Sequence, residues 1–241
     1  FGWSAAMQVL GVLVLLCLPA ALVLRGAARG DSHAAQVPVS TRDAIRTALR
    51  HPSYLMLAGG FFVCGFHVAF LATHLPGVVA LCGLPPQWAG WSLSVIGLFN
   101  IAGSIAMGWA VGRWRMKSLL SLVYAARGLA VLAFLLAPKT GPVVLLFAAV
   151  MGATFLSTVP PTAGLVARFF GASNMATLFG LVMLAHQVGG FLGAWLGGKV
   201  FDATGAYDWM WYLDIVLAAA AALIHLPIRE APLLPITAAR V

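Results

Sequence analysis

Residues 52–112 contain no Asp, Glu, Lys or Arg and read PSYLMLAGGFFVCGFHVAFLATHLPGVVALCGLPPQWAGWSLSVIGLFNIAGSIAMGWAVG. A transmembrane helix needs about 20 consecutive apolar residues, so this run is too long for one helix. Gly83, Pro85 and Pro86 lie near its centre and are typical of a break between helices. The run therefore predicts two membrane-spanning helices, at residues 54–79 and 88–112.

Runs almost free of charged residues predict five further spans elsewhere in the chain. Arg127 and Asp214 are the only charged residues in the interior of these spans. These spans are residues 1–24, 118–137, 142–166, 174–200 and 209–228. Alternation with period two, which a transmembrane β-barrel requires, is absent from the sequence. We therefore predict an all-α membrane protein with seven transmembrane helices. Its domains would be helix 1–24, a cytoplasmic linker 25–53, a six-helix unit 54–228 and a cytoplasmic tail 229–241.

The composition excludes several classes of protein. Of the 241 residues, 62% are hydrophobic and 8% are charged, whereas soluble domains average about 45–50% apolar and about 25% charged. This excludes an ordinary soluble enzyme and a disordered tail. The three cysteines, Cys17, Cys64 and Cys82, are too few for a disulfide scaffold and have no metal-binding spacing with histidine. We expect no metal, no cofactor and no enzymatic activity.

Positive charge predicts the orientation, because cytoplasmic loops of membrane proteins are enriched in Lys and Arg. Only Lys139 and Lys199 lie on one side of the predicted spans. The net charge of +8 would then face the inner leaflet of a plasma (inner) membrane rather than a nucleic acid, with the C-terminus cytoplasmic. The opposite, cytoplasmic side would carry Arg25, Arg29, Arg42, Arg46, Arg50, Arg113, Arg115, Lys117, Arg168, Arg229 and Arg240.

The linker is predicted to contain a short amphipathic helix over residues 41–51. Arg42, Arg46 and Arg50 share one face at a spacing of four, and Ile45 and Leu49 lie on another. We expect this helix to lie on the membrane surface. The alternative is a solvated linker with incidental helicity.

Hydrogen-bonding side chains recur at the middle of five consecutive predicted spans, where they are costly unless they face protein or a cavity. Because this layer contains an arginine and two histidines, and Asp214 lies nearer the outer face, it suits an anionic ligand. His225, near the inner end of the last span, is expected at the surface. The layer consists of His67, Asn100, Arg127, Thr154, and His186 with Gln187.

Pro160 and Pro161 predict an interruption of the span at residues 142–166, because proline lacks an amide donor. Thr158 lies beside this break and joins the candidate substrate contacts. The alternatives are structural: the histidines are packed and neutral, and the hydroxyls bond carbonyls of their own helix. Arg127 either binds substrate or bonds Asp214 or neighbouring carbonyls.

Small residues recur at intervals of four on two spans, which permits close helix packing in lipid. Gly189, Gly193 and Gly197 form one such row, with Gly190, Ala194 and Gly198 beside it. Ser104, Gly108 and Gly112 form another. We expect both rows to lie at helix contacts.

Three sequence phrases resemble the major facilitator superfamily of transporters. Gly108-Trp-Ala-Val-Gly112-Arg113-Trp-Arg115-Met-Lys117 is similar to its cytoplasmic loop motif G-x-x-x-D-R-x-x-R-R, with Gly112 in place of the acid. Leu98-Phe99-Asn100-Ile-Ala-Gly103-Ser104 and His186-Gln187-Val-Gly189 resemble the oxalate/formate and monocarboxylate carrier branch. Ser104 stands where the oxalate–formate carriers have a basic residue, so oxalate is not implied.

The resemblance implies helices 6–12 of a twelve-helix fold, with the N-terminal half of the transporter missing. It implies secondary active transport, by alternating access, of a small-molecule substrate such as an organic anion or monocarboxylate, with a proton as a candidate co-transported ion. The alternative is a complete seven-helix receptor or photoreceptor. The final helix has no Lys for a retinal Schiff base, and the chain begins within an apolar segment at Phe1, which both favour the transporter.

Overall fold

The computed structural model describes residues 3–16, residue 19 and residues 40–233. Contacts divide the chain into two units, one with residues 1–37 and 237–241 and the other with residues 38–236. Helix α1, Trp3–Leu16, belongs to the first unit and carries no charged residue. Apart from residue 19, the rest of the predicted span 1–24, the linker before Ser40 and the tail after Leu233 lie outside the described residues.

The second unit is helical throughout its described part. It contains a short helix α2 and six helices long and apolar enough to cross a membrane, one of them in two segments. The all-α membrane fold is thus confirmed, and each of the last six predicted spans corresponds to one such helix. These elements are α2 Thr41–Arg50, α3 Pro52–Leu81, α4 Gln87–Val111, α5 Met116–Leu136, α6 Gly141–Phe155, α7 Val159–Phe170, α8 Ala172–Thr204 and α9 Asp208–His225.

Glycine ends two of the long helices in the way that the sequence suggests. Beyond the end of α3, Gly83 adopts a φ of 70°, and Pro85 and Pro86 precede α4. Gly205 caps α8 in the left-handed conformation with a φ of 71°. A residue that carries a Cβ rarely adopts this backbone conformation, so glycine is the favoured residue at both turns.

Three helix pairs pack most extensively: α3 with α8, α4 with α6, and α5 with α9. The glycine row on α8 lies at the first of these contacts, as predicted. A Cβ at Gly189 would overlap the carbonyl oxygen of Phe62, and one at Gly193 would overlap that of Phe66. The two backbones therefore touch directly, which only glycine permits at this distance.

The predicted small-residue row on α4 is wrong as a helix contact. A Cβ at Gly108 would meet no atom within 4 Å, and one at Gly112 would meet only the carbonyl oxygen of Trp109 in its own segment. Gly103 makes the close approach instead, with the backbone of Ala153 on α6. The row is therefore turned away from α6, while a neighbouring glycine faces it.

Two apolar clusters fill the bundle, one towards each end of the helices. Along α3 the first cluster ends at Cys64 and the second begins at Phe66. Along α5 the boundary falls between Tyr124 and Val131. The buried polar residues of the predicted central layer lie at this boundary, so they interrupt an otherwise apolar core.

Helix α2 forms where it is predicted, and it docks on the bundle through two alanines. Ala44 and Ala48 are fully buried against α3 and α8, whereas Leu49 is 54% exposed. The small alanine side chains let this helix approach the bundle closely. The location of α2 on the membrane surface remains a prediction.

Candidate substrate site

The tenth helix of the resembled fold is broken near its middle. Helix α6 ends at Phe155, a 3-10 turn covers Leu156–Thr158, and α7 begins at Val159. Pro160 and Pro161 lack the amide donors that would bond carbonyls four residues earlier, which favours the break. A broken membrane helix leaves backbone groups that side chains or water must satisfy.

Asn100 of α4 satisfies one of these backbone groups. Its Oδ1 atom accepts a hydrogen bond from the amide of Leu156, at 3.0 Å. The Asn100 side chain is half-buried, so part of it stays accessible. It links α4 to the 3-10 turn.

Arg127 of α5 bonds two more backbone groups near the break. Its side chain is fully buried, and its Nη2 atom donates hydrogen bonds to the carbonyl oxygens of Thr154 and of Phe155, the latter at 2.8 Å. Within the described part of the chain, Nε and Nη1 have no hydrogen-bond partner. This geometry matches the alternative in which Arg127 bonds neighbouring carbonyls, and Arg127 makes no direct ion pair with Asp214.

Asp214 of α9 instead faces His67 of α3. The distance between His67 Nε2 and Asp214 Oδ1 is 3.5 Å, and both side chains are 2% exposed. No described group makes a regular hydrogen bond to either His67 nitrogen. The structure therefore places His67 at a contact between α3 and α9 and does not bring it to an accessible surface with the other candidates.

The two threonines mostly serve the broken helix itself. The Thr154 hydroxyl donates to the carbonyl oxygens of Val150 and Met151, at 3.1 and 3.0 Å. Thr158 is fully buried, and its Oγ1 atom lies 3.2 Å from Sγ of Cys64 on α3. Cys64 is thus a member of this cluster that the sequence analysis missed, because an apolar run with one cysteine carries no polar signal.

His186 and Gln187 form an accessible polar pair on α8. Gln187 is exposed and His186 is half-buried, and His186 Nδ1 lies 3.1 Å from Gln187 Oε1. The imidazole ring packs on Phe61 of α3, with 4.9 Å between ring centroids. Of the predicted contacts, Asn100, Thr154, His186 and Gln187 keep accessible surface, whereas His67, Thr158, Arg127 and Asp214 are buried.

His225 does not lie at the surface as predicted. It is 1% exposed, stacks on Tyr124 with 5.1 Å between ring centroids, and approaches the backbone at Gly60. Its Nδ1 atom bonds the carbonyl oxygen of Ala221 at 2.6 Å. Gly60 has no side chain, so the His225 imidazole has room to pack inside the bundle instead of lying at the surface.

The loop motif between α4 and α5 has an acidic partner from a distant part of the chain. Gly112 ends α4, and Arg113 and Arg115 are exposed. Glu230 accepts hydrogen bonds from the Lys117 amide at 2.8 Å and from Arg168 at 2.9 Å. Glu230 thus supplies the loop with a carboxylate, whereas the motif position for an acid is occupied by Gly112. The sequence did not reveal this contact, because Glu230 lies more than a hundred positions after Gly112.

Among the described residues, no group of three or more His, Cys, Asp or Glu side chains could hold a metal ion. The accessible polar groups of the central layer instead offer hydrogen bonds, whereas the one permanent positive charge, on Arg127, is buried against backbone carbonyls.

The family model of the Major Facilitator Superfamily matches residues 1–194. An uncharacterized MFS-type transporter, YcxA, of Bacillus subtilis (strain 168) is 24% identical, with 93% of this chain and 56% of the relative covered. Monocarboxylate transporter 12-B of Danio rerio is 25% identical, with 89% of this chain and 52% of the relative covered. Monocarboxylate transporter 13 of Rattus norvegicus is 26% identical, with 94% and 53% covered.

The chain spans about half the length of these curated relatives. The match agrees with the resemblance found in the sequence phrases and with the six apolar helices of the structure. This chain belongs to the Major Facilitator Superfamily.

Proposed function

We propose that this chain is the C-terminal part of a secondary active transporter that moves a small organic anion, of the monocarboxylate class, by alternating access. Its partner would be the N-terminal half of the same transporter. The relatives named as monocarboxylate transporters support the substrate class. The family match lends no support to the seven-helix receptor.

The observation that carries this proposal is the charge and exposure of the central layer. The layer itself contains no carboxylate, and Asp214, which contacts it, is buried against His67. The accessible groups are the Asn100 amide, the His186 imidazole and the Gln187 amide. They donate hydrogen bonds, and an imidazole can add positive charge, so a carboxylate is the ligand they complement.

The broken helix gives this layer a mechanical role. The side chains of Asn100 and Arg127 both bond backbone groups at the break, and in the proposed mechanism α6 and α7 change their mutual angle there. Transporter sites commonly lie beside such discontinuous helices. We place the substrate near the α4 side of the break, with Asn100, Thr154, His186 and Gln187 as its candidate contacts.

We further propose a plasma (inner) membrane location with the C-terminus cytoplasmic. The basis is the uneven distribution of basic residues over the two sides of the spans. His186 is the accessible titratable side chain of the central layer, so it is our candidate for carrying a co-transported proton on this half. His67, buried beside Asp214, is not part of this set.

The test is uptake of labelled short-chain monocarboxylates by cells expressing the chain joined to its N-terminal half. Neutral amides of the same acids are the substrate controls. Losing one hydrogen bond to a charged ligand costs about 1.5–3 kcal/mol, so His186→Ala should weaken apparent affinity about ten- to a hundred-fold. His51→Asn removes a histidine outside the layer and should leave affinity unchanged.

Two results would contradict the proposal. Uptake of the neutral amides as fast as the acids would exclude an anion site. Wild-type affinity in both His186→Ala and Gln187→Ala, from about pH 5.5 to about pH 8, would show that the accessible polar layer serves only helix packing.

A further inference from the structure

An apolar groove lies between α4, α5 and α6, on the half of the membrane nearest the basic loop 112–115. Helix α4 packs on α6 and α5 packs on α9, whereas α4 and α5 make few direct contacts with each other. The space left between them has a volume of about 470 Å³ and an almost wholly apolar lining. Its walls include Gly103, Ala106, Met107, Leu122 and Ala126.

The groove has the length of a lipid chain segment within one leaflet. It runs from Trp114, at the loop, to Ala153 and Thr154 beside the helix break. From Ala110 to Gly103 alone, the rise along α4 is about 10 Å. Small residues form its floor, because glycine and alanine on three helices leave room that larger side chains would fill.

Two tryptophans and an arginine form the mouth of the groove. The rings of Trp109 and Trp114 meet edge to face, with 5.4 Å between centroids, and both are more than half exposed. The Arg113 guanidinium lies 3.8 Å from the Trp109 ring centroid. Tryptophan is enriched at the level of lipid headgroups, where its ring is apolar and its N–H can reach water.

The charge at this mouth is positive and poorly neutralised. Within the described chain, the Arg113 guanidinium bonds only the carbonyl oxygen of Trp109, and the Arg115 guanidinium has no hydrogen-bond or ion-pair partner. The nearest acid, Glu230, is already bonded by Arg168 and by the Lys117 amide. Two exposed arginines, one stacked on Trp109 and the other next to Trp114 in the chain, are therefore available to bind an anion at the mouth of the groove.

We propose that this groove binds one anionic phospholipid, with an acyl chain between α4 and α5 and the phosphate at Arg113 and Arg115. The apolar groove matches the acyl chain of the lipid, and the two arginines at its mouth match the negatively charged phosphate. A zwitterionic lipid would fill the groove without using the net charge. The site shares only Thr154 with the proposed substrate contacts and can be tested on this chain alone.

The structure supplies a matched control groove. A second apolar groove of about 410 Å³ lies between α5 and α9 and is lined by residues such as Leu129, Leu132, Ile215, Ala219 and Leu223. No arginine or lysine is among its lining residues. It should accept acyl chains without preference for headgroup charge.

The experiment titrates the purified chain in detergent with phosphatidylglycerol or with phosphatidylcholine and counts bound lipids by native mass spectrometry. Two basic side chains at a membrane surface together change affinity about thirtyfold. We expect one phosphatidylglycerol to bind about thirtyfold more tightly than phosphatidylcholine. Arg113→Gln with Arg115→Gln should abolish that preference, whereas Arg42→Gln with Arg46→Gln on α2 should retain it.

A second pair of variants tests the acyl-chain seat. Ala106→Phe fills the groove and should prevent tight phosphatidylglycerol binding, whereas Ala219→Phe in the control groove should not. Circular dichroism and melting temperature confirm that each variant is folded. Equal binding of the two lipids, equal losses in the matched controls, or retained binding in Ala106→Phe would each overturn the proposal. So would equally tight binding of inorganic phosphate, since the loop would then need no lipid.

Discussion

The Oδ1 atom of Asn100 on α4 accepts a hydrogen bond from the backbone amide of Leu156, at 3.0 Å. Leu156 lies in the 3-10 turn that separates α6 from α7. Arg127 donates to the carbonyl oxygens just before the break. One side chain thus supplies an acceptor and another supplies donors to the same interruption. Side chains from neighbouring helices therefore hydrogen-bond backbone groups at the 3-10 turn, which stabilises the break as part of the fold.

Replacing Asn100 by Leu should destabilise the protein by about 1 kcal/mol, because the Leu156 amide loses its acceptor. The measurement is the thermal melting temperature in detergent. Ser94→Ala on the same helix is the control, since the Ser94 hydroxyl bonds only a carbonyl of its own helix. Equal melting of the two variants would show that water replaces the Asn100 amide without loss.

Replacing Arg127 by Gln should lower the free energy of unfolding by about 1.5–3 kcal/mol, the usual cost of losing hydrogen bonds to a charged group. Substrate affinity of the full transporter should stay unchanged, because this side chain is fully buried among backbone carbonyls. Arg46→Gln, at an exposed position on α2, should change neither quantity. A loss of transport at an unchanged melting temperature would assign Arg127 to the substrate instead.

Replacing Gly193 by Ala should destabilise the contact between α3 and α8 by about 1–3 kcal/mol, because the new methyl group overpacks against backbone. The overlap is with the carbonyl oxygen of Phe66. Gly180→Ala on the same helix meets no atom within 4 Å, so it should be neutral or slightly stabilising. If both variants melt alike, the two backbones are not in direct contact.

Cys82 should react slowly with maleimide at neutral pH, and the rate should rise as the pH increases. Burial raises the pKa of the Cys82 thiol above its ordinary value, and the nearby Lys139 ammonium opposes the rise. A raised pKa leaves less thiolate at pH 7, and the thiolate is the reactive form. The rate should therefore still be rising through about pH 8.5, the ordinary value for a free thiol.

The same labelling tests the orientation of the chain. Cys64 is buried and should not react, and Cys17, outside the described residues, is replaced by Ser. A membrane-impermeant maleimide should then label Cys82 from outside intact cells. Labelling only after the membrane is opened would reverse the predicted orientation.

Replacing Glu230 by Gln should destabilise the protein by about 1 kcal/mol, combining a partly exposed ion pair with the loss of negative charge at the start of α5. Arg168→Gln should cost less, because the Arg168 side chain is 48% exposed. A double-mutant cycle measures the coupling between them. Strict additivity of the two losses would show that the ion pair contributes nothing.

The sequence by itself determined the number, the approximate positions and the break points of the last six helices. Whether a segment can cross a membrane depends on its own length and polarity, which are local properties. The end of α3 before Gly83, the interruption before Pro160 and the glycine row on α8 are local in the same sense. The depth of a side chain along its helix is also local, so the central polar layer could be counted from the spans.

Only the tertiary structure decided which way each of these side chains turns. The rotation of a helix about its axis depends on which neighbours it packs against, and distant segments supply those neighbours. His67 therefore faces Asp214, His225 is buried opposite Gly60, and α2 docks by Ala44 and Ala48 rather than Leu49. Glu230 reaches the loop after Gly112 for the same reason: a carboxylate can act wherever folding brings it within hydrogen-bond distance, whatever its place in the chain.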